Sequence, residues 1–228
     1  MDLLFIINFF VAFIAGITIH ESAHAWMGNR LGDPTAKELG RISLNPLRHI
    51  DPIGSVVLPL IGLFSSSHWL IGWAKPTPYN PENLKDGHKD EVLIALAGPI
   101  SNLLLGFVSV AVGYILAIII ALIVAFIEGL TNTSLNLDLL WKFMDSFFYA
   151  LAYANFILAF FNLVPIPPLD GSSFLKIFFQ KRFGYQLAFL NQYGFLILIM
   201  ASFTPAGNLL GNYLDTTVGF CLRIVGFN

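Results

Sequence analysis

The longest uncharged stretch of this chain narrows its possible folds the most. Residues 92–127 include no acidic or basic side chain over 36 positions. As a helix, this stretch would be about 54 Å long, well beyond the ~30 Å hydrocarbon core of a bilayer. It therefore predicts either one long tilted transmembrane helix with an overhang or two shorter helices.

Other apolar stretches lie on both sides of it, at residues 3–27, 146–169 and 183–214. The whole chain is 56% hydrophobic and 11% charged, and its mean hydropathy is +0.73. These values do not suit a soluble domain, and they predict an all-α polytopic membrane protein.

Residues 52–74 are apolar apart from His68, but glycine, proline and serine interrupt them repeatedly. Irregular backbone at membrane depth is tolerated only where protein or a wet cavity surrounds it. We therefore expect a re-entrant, partly β element here rather than a straight spanning helix.

The distribution of Lys and Arg favours one arrangement of these segments. If residues 52–74 re-enter and 92–127 cross once, the loops at 28–51, 75–91 and 170–182 share one side. They then hold 4, 3 and 3 basic residues, 10 of the 12 in the chain. The positive-inside rule makes that side cytoplasmic. This predicts about four spanning helices with both termini outside, and an arrangement of five to six helices is the alternative.

Composition also excludes several classes of protein. A net charge of −2 without a basic cluster argues against a nucleic-acid partner. Cys221 is the single cysteine, so neither an intrachain disulfide nor a cysteine-based zinc site can form. No basic residue precedes the first apolar stretch, so we do not expect a cleaved signal peptide. We expect residues 1–228 to form a single domain.

The clearest chemical motif is His20-Glu21-x-x-His24, which lies at the end of the first apolar stretch. Positions i and i+4 share one face of a helix, so both imidazoles can bind one zinc ion. Glu21 would then face a water molecule on that metal. Ionisable groups this deep in an apolar segment indicate function rather than packing.

Catalytic zinc usually takes three protein ligands and leaves a position for water. The third ligand could be His49, His68, His88 or a carboxylate. Asp170 is the preferred candidate, because it follows an apolar helix that the prolines before it must end. In the four-helix arrangement, Asp170 lies at the same membrane depth as the two histidines.

Several further motifs accompany this one: Asn45-Pro46-x-x-His49, Gly72-Trp73-Ala74-Lys75-Pro76, Ala97-Gly98-Pro99, and Asn162-x-x-Pro165-x-Pro167-x-Leu169-Asp170-Gly171. With these motifs, the sequence resembles the site-2 protease family of intramembrane zinc metalloproteases. The resemblance runs from residue 16 to about 175. It is to a minimal member of that family, without a PDZ or CBS domain.

The resemblance implies that one Zn²⁺ is bound by His20, His24 and Asp170. It implies that Glu21 is the catalytic acid and base, and that Asn162 steadies the substrate carbonyl or its oxyanion. The expected function is regulated intramembrane proteolysis. The partners would be a transmembrane protein substrate and the lipid bilayer of the cell membrane, with the active site open to the cytoplasm.

Three other classes of protein compete with this interpretation. A catalytically inactive zinc scaffold would not need Glu21, and a metal transporter would need polar residues on several helices. Residues 92–127 offer almost none. A purely structural membrane protein would leave both the histidine motif and the Asp170 motif unexplained.

Overall fold

The structure is a computed structural model that describes residues 3–64, 72–202 and 204–227. Its helices are α1 (Leu3–Leu31), α2 (Thr35–Glu38), α3 (Leu58–Phe64), α4 (His88–Thr131), α5 (Asp138–Asn162), α6 (Ser173–Ser202) and α7 (Pro205–Ile224). Short 3₁₀ turns lie at Pro46–Arg48, Pro81–Asn83 and Asp170–Ser172, and a π-helical turn, Pro52–Val57, precedes α3. The described ranges contain no strand, which confirms the all-α class.

Three helices, α1, α4 and α5, are long and apolar enough to cross a membrane. The segment Gln192–Ser202 of α6 and the whole of α7 would make a fourth span if they are counted together, although they meet at a 90° bend. The described part of the chain therefore offers three or four spans, and the predicted count of four is not confirmed.

Small residues let α1, α4 and α5 approach closely. Ala12, Ala150 and Ala154 are buried against Phe9 and Phe13 in one shared core. A Cβ atom on Gly16 of α1 would lie only 2.7 Å from Leu158 of α5. Close approach at small residues is the usual basis of helix packing inside a membrane, where burial of apolar surface provides little driving force.

Residues 92–127 belong to the single continuous helix α4, which resolves the alternative between one helix and two. Its 44 residues correspond to about 66 Å. α4 continues past this stretch to Thr131, and α5 begins at Asp138, so residues 132–137 connect the two helices. Single charges such as Glu128 and Asp138 do not interrupt a helix at its ends, and an acidic residue in the first turn is favourable.

The segment expected to re-enter the membrane begins as helix. Residues 52–64 comprise the π-helical turn and α3, about 20 Å in length, which is too short to cross the hydrocarbon core. The two ends of the segment meet, because the Trp73 amide donates to the Gly54 carbonyl at 3.1 Å. The predicted β character is not confirmed, and residues 65–71, with His68, lie outside the described residues.

The C-terminal part of the chain differs from the prediction. α6 ends at Ser202, within the apolar stretch 183–214, and a further helix follows. Pro205 is at the start of α7, where its missing N–H needs no partner, and the Thr204 hydroxyl caps that end. Cys221 was expected beyond the last apolar segment, but α7 buries it in a core with Val110 and Phe156.

Candidate metal centre and catalytic site

His20 and His24 lie one turn apart on α1 and face Asp170, which begins the 3₁₀ turn after α5. The Oδ2 atom of Asp170 is 3.0 Å from Nε2 of His20 and 3.4 Å from Nε2 of His24. Of the described residues, these form the one group of three or more potential ligands close enough to share a metal ion. The structure therefore brings together the three residues predicted as zinc ligands.

The other nitrogen of each imidazole is held by the protein. Nδ1 of His20 lies 2.6 Å from Oδ1 of Asn102, and Nδ1 of His24 lies 2.6 Å from the Ile94 carbonyl. Both partners are acceptors, so each imidazole carries its proton on Nδ1 and directs the Nε2 lone pair toward Asp170. This is the tautomer that a metal-binding histidine requires.

Asn102 is itself fixed, because its amide donates to the Gly16 carbonyl at 3.1 Å and to Oδ1 of Asn155 at 2.7 Å. Asn102 therefore hydrogen-bonds between helices and joins α1, α4 and α5 directly behind His20.

Gly98 of α4 faces the two histidines. A Cβ atom there would lie 2.5 Å from Nε2 of His24 and 2.6 Å from Nε2 of His20. Contacts this short essentially never occur, so any side chain at this position would displace the imidazoles. The Ala97-Gly98-Pro99 motif therefore provides the space for the ligands themselves.

These groups fit a zinc ion. Two imidazole nitrogens and a carboxylate oxygen are a common catalytic donor set, and bonds of about 2.0–2.2 Å in tetrahedral geometry separate ligand atoms by roughly 3.4 Å. The two measured distances to Asp170 agree with that spacing. Its Oδ2 atom is buried and has no hydrogen-bond donor among the described residues, as expected for an oxygen that binds a cation.

The chain around Asp170 determines where its carboxylate lies. A Cβ atom on Gly171 would meet the Leu163 carbonyl at 2.2 Å, so only glycine allows the turn to fold back against the end of α5. The carboxylate therefore presents its Oδ2 atom to the Nε2 atoms of both histidines.

Glu21 lies beside the metal ligands and lines the same cavity. Its Oε2 atom accepts a hydrogen bond of 2.8 Å from the Thr77 hydroxyl, and the Arg41 guanidinium is 3.9 Å from that oxygen. The Arg41 guanidinium also donates to the Lys75 carbonyl. Sequence reasoning missed Thr77 and Arg41, although Thr77 directly follows the Gly72–Pro76 motif that it singled out.

The segment from Gly72 to Thr77 forms one wall of the cavity. The Trp73 and Lys75 amides donate to Gly54 and His49, on one side of the segment. Alternate residues that bond to the same side indicate extended backbone, so Ala74 presents its N–H and C=O groups to the other side. This edge lies among the residues that line the cavity with the metal ligands.

Asn162 is the last residue of α5 and lines this cavity, but it contributes no atom to the metal cluster. Its amide donates to the Leu158 carbonyl at 2.9 Å. An amide group has a second N–H and a carbonyl oxygen besides that bond. The cavity measures about 570 Å³, a volume typical of ligand sites.

The alternative third ligands that the structure describes lie elsewhere. His49 is fully buried in the loop after α2, where its Nε2 donates to the Ser43 carbonyl at 2.8 Å, and burial lowers its pKa. His88 is half exposed at the start of α4, 3.9 Å from Glu91. Neither belongs to the metal cluster, and His68 lies outside the described residues.

Comparison with known proteins identifies the family of this chain. A family model described as "Peptidase family M50" matches residues 8–201. The chain belongs to this family, the site-2 protease family, and is a zinc metalloprotease of that type.

The curated names of similar proteins agree with this family. The chain is 32% identical over 203 residues to the "Putative zinc metalloprotease YwhC" of Bacillus subtilis, covering 87% of this chain and 81% of the relative. It is 26% identical over 222 residues to the "Putative zinc metalloprotease Rip2" of Mycolicibacterium smegmatis, covering 89% of this chain and 70% of the relative. No solved structure matches the chain.

Proposed function

We propose that this protein is an intramembrane endopeptidase that cleaves transmembrane segments of membrane-protein substrates in regulated intramembrane proteolysis. The observation that carries the proposal is the meeting of His20, His24 and Asp170 beside Glu21, inside a bundle of membrane-spanning helices. Family membership and the three or four apolar spans make it a multi-pass membrane protein. The proposal adds the transmembrane substrate and a single zinc ion per chain.

His20, His24 and Asp170 would hold the metal. When bound, zinc lowers the pKa of a coordinated water molecule toward about 7 and polarises the substrate carbonyl. The remaining chemistry belongs to the residues of the chain. Glu21 takes a proton from the attacking water and later gives it to the leaving amine. Thr77 holds the Glu21 carboxylate in position through its hydrogen bond.

Asn162 would donate an amide N–H to the substrate carbonyl oxygen. Preorganised donors of this kind can contribute roughly 3 kcal/mol to a transition state. The free edge of Ala74 would pair with an unwound stretch of substrate, which must be extended because a helix shields its own peptide bonds.

A catalytically inactive zinc scaffold is the second candidate. The bond between Glu21 and Thr77 argues against it, since binding a metal does not require a second, oriented carboxylate at the site. The site would open to the cytoplasm of the cell membrane, since the loops around it carry most of the basic residues.

The test compares purified wild-type protein with Glu21→Gln, His24→Ala and Asp170→Ala in lipid vesicles that contain a transmembrane substrate. We expect about one zinc per chain in the wild type and in Glu21→Gln, with cleavage only in the wild type. The two ligand variants should lose zinc. Cleavage by Glu21→Gln would remove its role as the base, and full zinc occupancy in Asp170→Ala would remove Asp170 from the site.

Membrane orientation is tested with single cysteines at Lys85 and Lys176 in a Cys221→Ser background. The native thiol cannot serve as the reporter because it is buried. A membrane-impermeant maleimide added to intact cells should label neither new cysteine until the membrane is opened. Labelling of Lys85→Cys from outside would mean that residues 52–74 cross the bilayer.

A further inference from the structure

A second cavity of about 450 Å³ adjoins the catalytic one. It lies between α1, α5, α6 and α7. The two cavities share five lining residues: Phe13, Gly72, Leu158, Phe161 and Phe195. A substrate that reaches the metal ligands can therefore extend from one cavity into the other without leaving the interior of the bundle.

The second cavity lies deeper in the bundle than the metal site. Its wall includes Phe9 of α1, which precedes His20 by 11 residues, or about 16 Å along the helix. Tyr153 of α5 lines the same region, and its ring is 6.0 Å from that of Phe9. Because Phe9 is itself about 9 Å from the start of α1, this cavity lies between the two ends of the span.

Asp215 is the one charged residue among the described residues that line this cavity. Almost all the others are apolar, apart from Tyr153 and Ser202. The Asp215 side chain is exposed, and it forms no ion pair with any described side chain. An ionisable group between the ends of a membrane-spanning bundle is costly, and it indicates a functional partner of opposite charge.

We infer that this second cavity is a substrate subsite, in which Asp215 binds a basic side chain within the substrate's transmembrane segment. The inference rests on the proposed protease function. Three observations carry it: the cavity continues from the catalytic one, it lies deeper along α1, and the one charge among its described lining residues is negative. The apolar walls suit the rest of a transmembrane segment, and the acid adds selection for Lys or Arg at one position.

The depth of the cavity predicts where that residue lies. The region from Phe13 to Phe9 is 7 to 11 residues from His20, about 10–16 Å along α1. An extended peptide covers about 3.3 Å per residue. The basic residue should therefore lie roughly three to five residues from the scissile bond, on the side that continues toward the N-terminal end of α1.

The test uses a model substrate with an all-leucine transmembrane segment and two series of single substitutions, Lys or Glu, at successive distances from the cleaved bond. Wild-type protein in lipid vesicles should cleave the best Lys substrate about tenfold faster than its Glu counterpart, the scale of one partly buried ion pair. Asp215→Asn should reduce this ratio to near one, and Asp215→Lys should invert it. Asp138→Asn, an exposed acid that lines neither cavity, should keep the wild-type ratio.

Substrate affinity provides a second measurement that does not depend on turnover. In a Glu21→Gln background, equilibrium binding should favour the Lys peptide over the Glu peptide, and adding Asp215→Asn should remove that preference. A Lys-to-Glu ratio that is the same in wild type and Asp215→Asn, in cleavage and in binding, would overturn the subsite. Failure of the wild type to cleave any substrate of either series would instead count against the proposed function.

Discussion

The two halves of α4 have different surroundings. Every buried residue of this helix lies between Asp90 and Val110. From residue 111 onward the helix has none, and large side chains such as Leu122, Phe126 and Leu130 are 66–69% exposed. The inner half packs against α1 and α5, whereas the outer half contacts α5 near Gly113 and leaves most of its side chains exposed.

This difference shows what apolarity determines and what it does not. Hydropathy predicts that this helix spans the membrane, but small and polar residues determine which half forms the site. The inner half contains Gly98, Asn102 and Gly106, each in close contact with another helix. The outer half contains Gly129, where an added Cβ would meet nothing within 4 Å.

The largest expected effect is the loss of zinc binding when Gly98, in the inner half of α4, is replaced by alanine. Gly98→Ala should abolish stoichiometric zinc binding, because its Cβ would occupy the space of both imidazoles. Gly129→Ala, the matched control, should bind zinc as the wild type does. Metal content of purified protein, measured by mass spectrometry, checks both. Full zinc in Gly98→Ala would show that the histidines are free to move.

A smaller effect is expected from the residue behind His20. Asn102→Ala should weaken zinc binding about 10- to 100-fold, since the imidazole loses the acceptor that fixes its orientation. Competition with a chromogenic chelator measures the affinity. Thr131→Ala, which removes a polar group at the outer end of α4, serves as the control. Equal affinities in the two variants would contradict the orienting role.

Substitution of Gly106 tests helix packing independently of zinc binding. In Gly106→Ala the new Cβ would approach the Phe156 ring to 2.4 Å, and the ring must move. We expect a loss of about 1–3 kcal/mol in the free energy of unfolding in detergent. Zinc stoichiometry should remain at the wild-type level, because Gly106 does not contact the ligands. Unchanged stability would mean that α4 and α5 are packed less tightly than described.

The smallest effect should come from the outer half of α4. Leu122→Ala removes an exposed side chain, so the free energy of unfolding should change by no more than about 0.5 kcal/mol. Thermal unfolding of Leu122→Ala and Gly106→Ala in detergent, compared with the wild type, provides the measurement. Destabilisation comparable with that of Gly106→Ala would mean that the outer half is buried against another molecule.

The sequence was sufficient to predict the elements of the site that depend on local pattern. Residues spaced i and i+4 on a helix share a face whatever surrounds them, so His20 and His24 could be paired. The prolines before Asp170 end α5 by backbone chemistry alone. The count of basic residues favoured an arrangement in which both motifs lie at the same membrane depth. In the structure, Oδ2 of Asp170 lies 3.0–3.4 Å from the Nε2 atoms of the two histidines.

Features that arise from contacts between distant segments could not be predicted in this way. Arg41 and Thr77 reach Glu21 from loops 20 and 56 residues away, and no local pattern connects them. The burial of Cys221 depends on α7, which begins at Pro205 and packs against α5 and α4. A proline near the end of one helix is equally suited to begin the next.

The central claim is that His20, His24 and Asp170 bind one zinc ion, and X-ray absorption at the zinc edge tests it most directly. The wild-type spectrum should fit two imidazole nitrogens and light oxygen ligands at about 2.0–2.2 Å. The Glu21→Gln spectrum should fit the same protein ligands, and Asp170→Asn should lose a carboxylate oxygen or the metal. A wild-type spectrum that requires three imidazoles, or protein that contains no zinc after purification in its presence, would contradict the account.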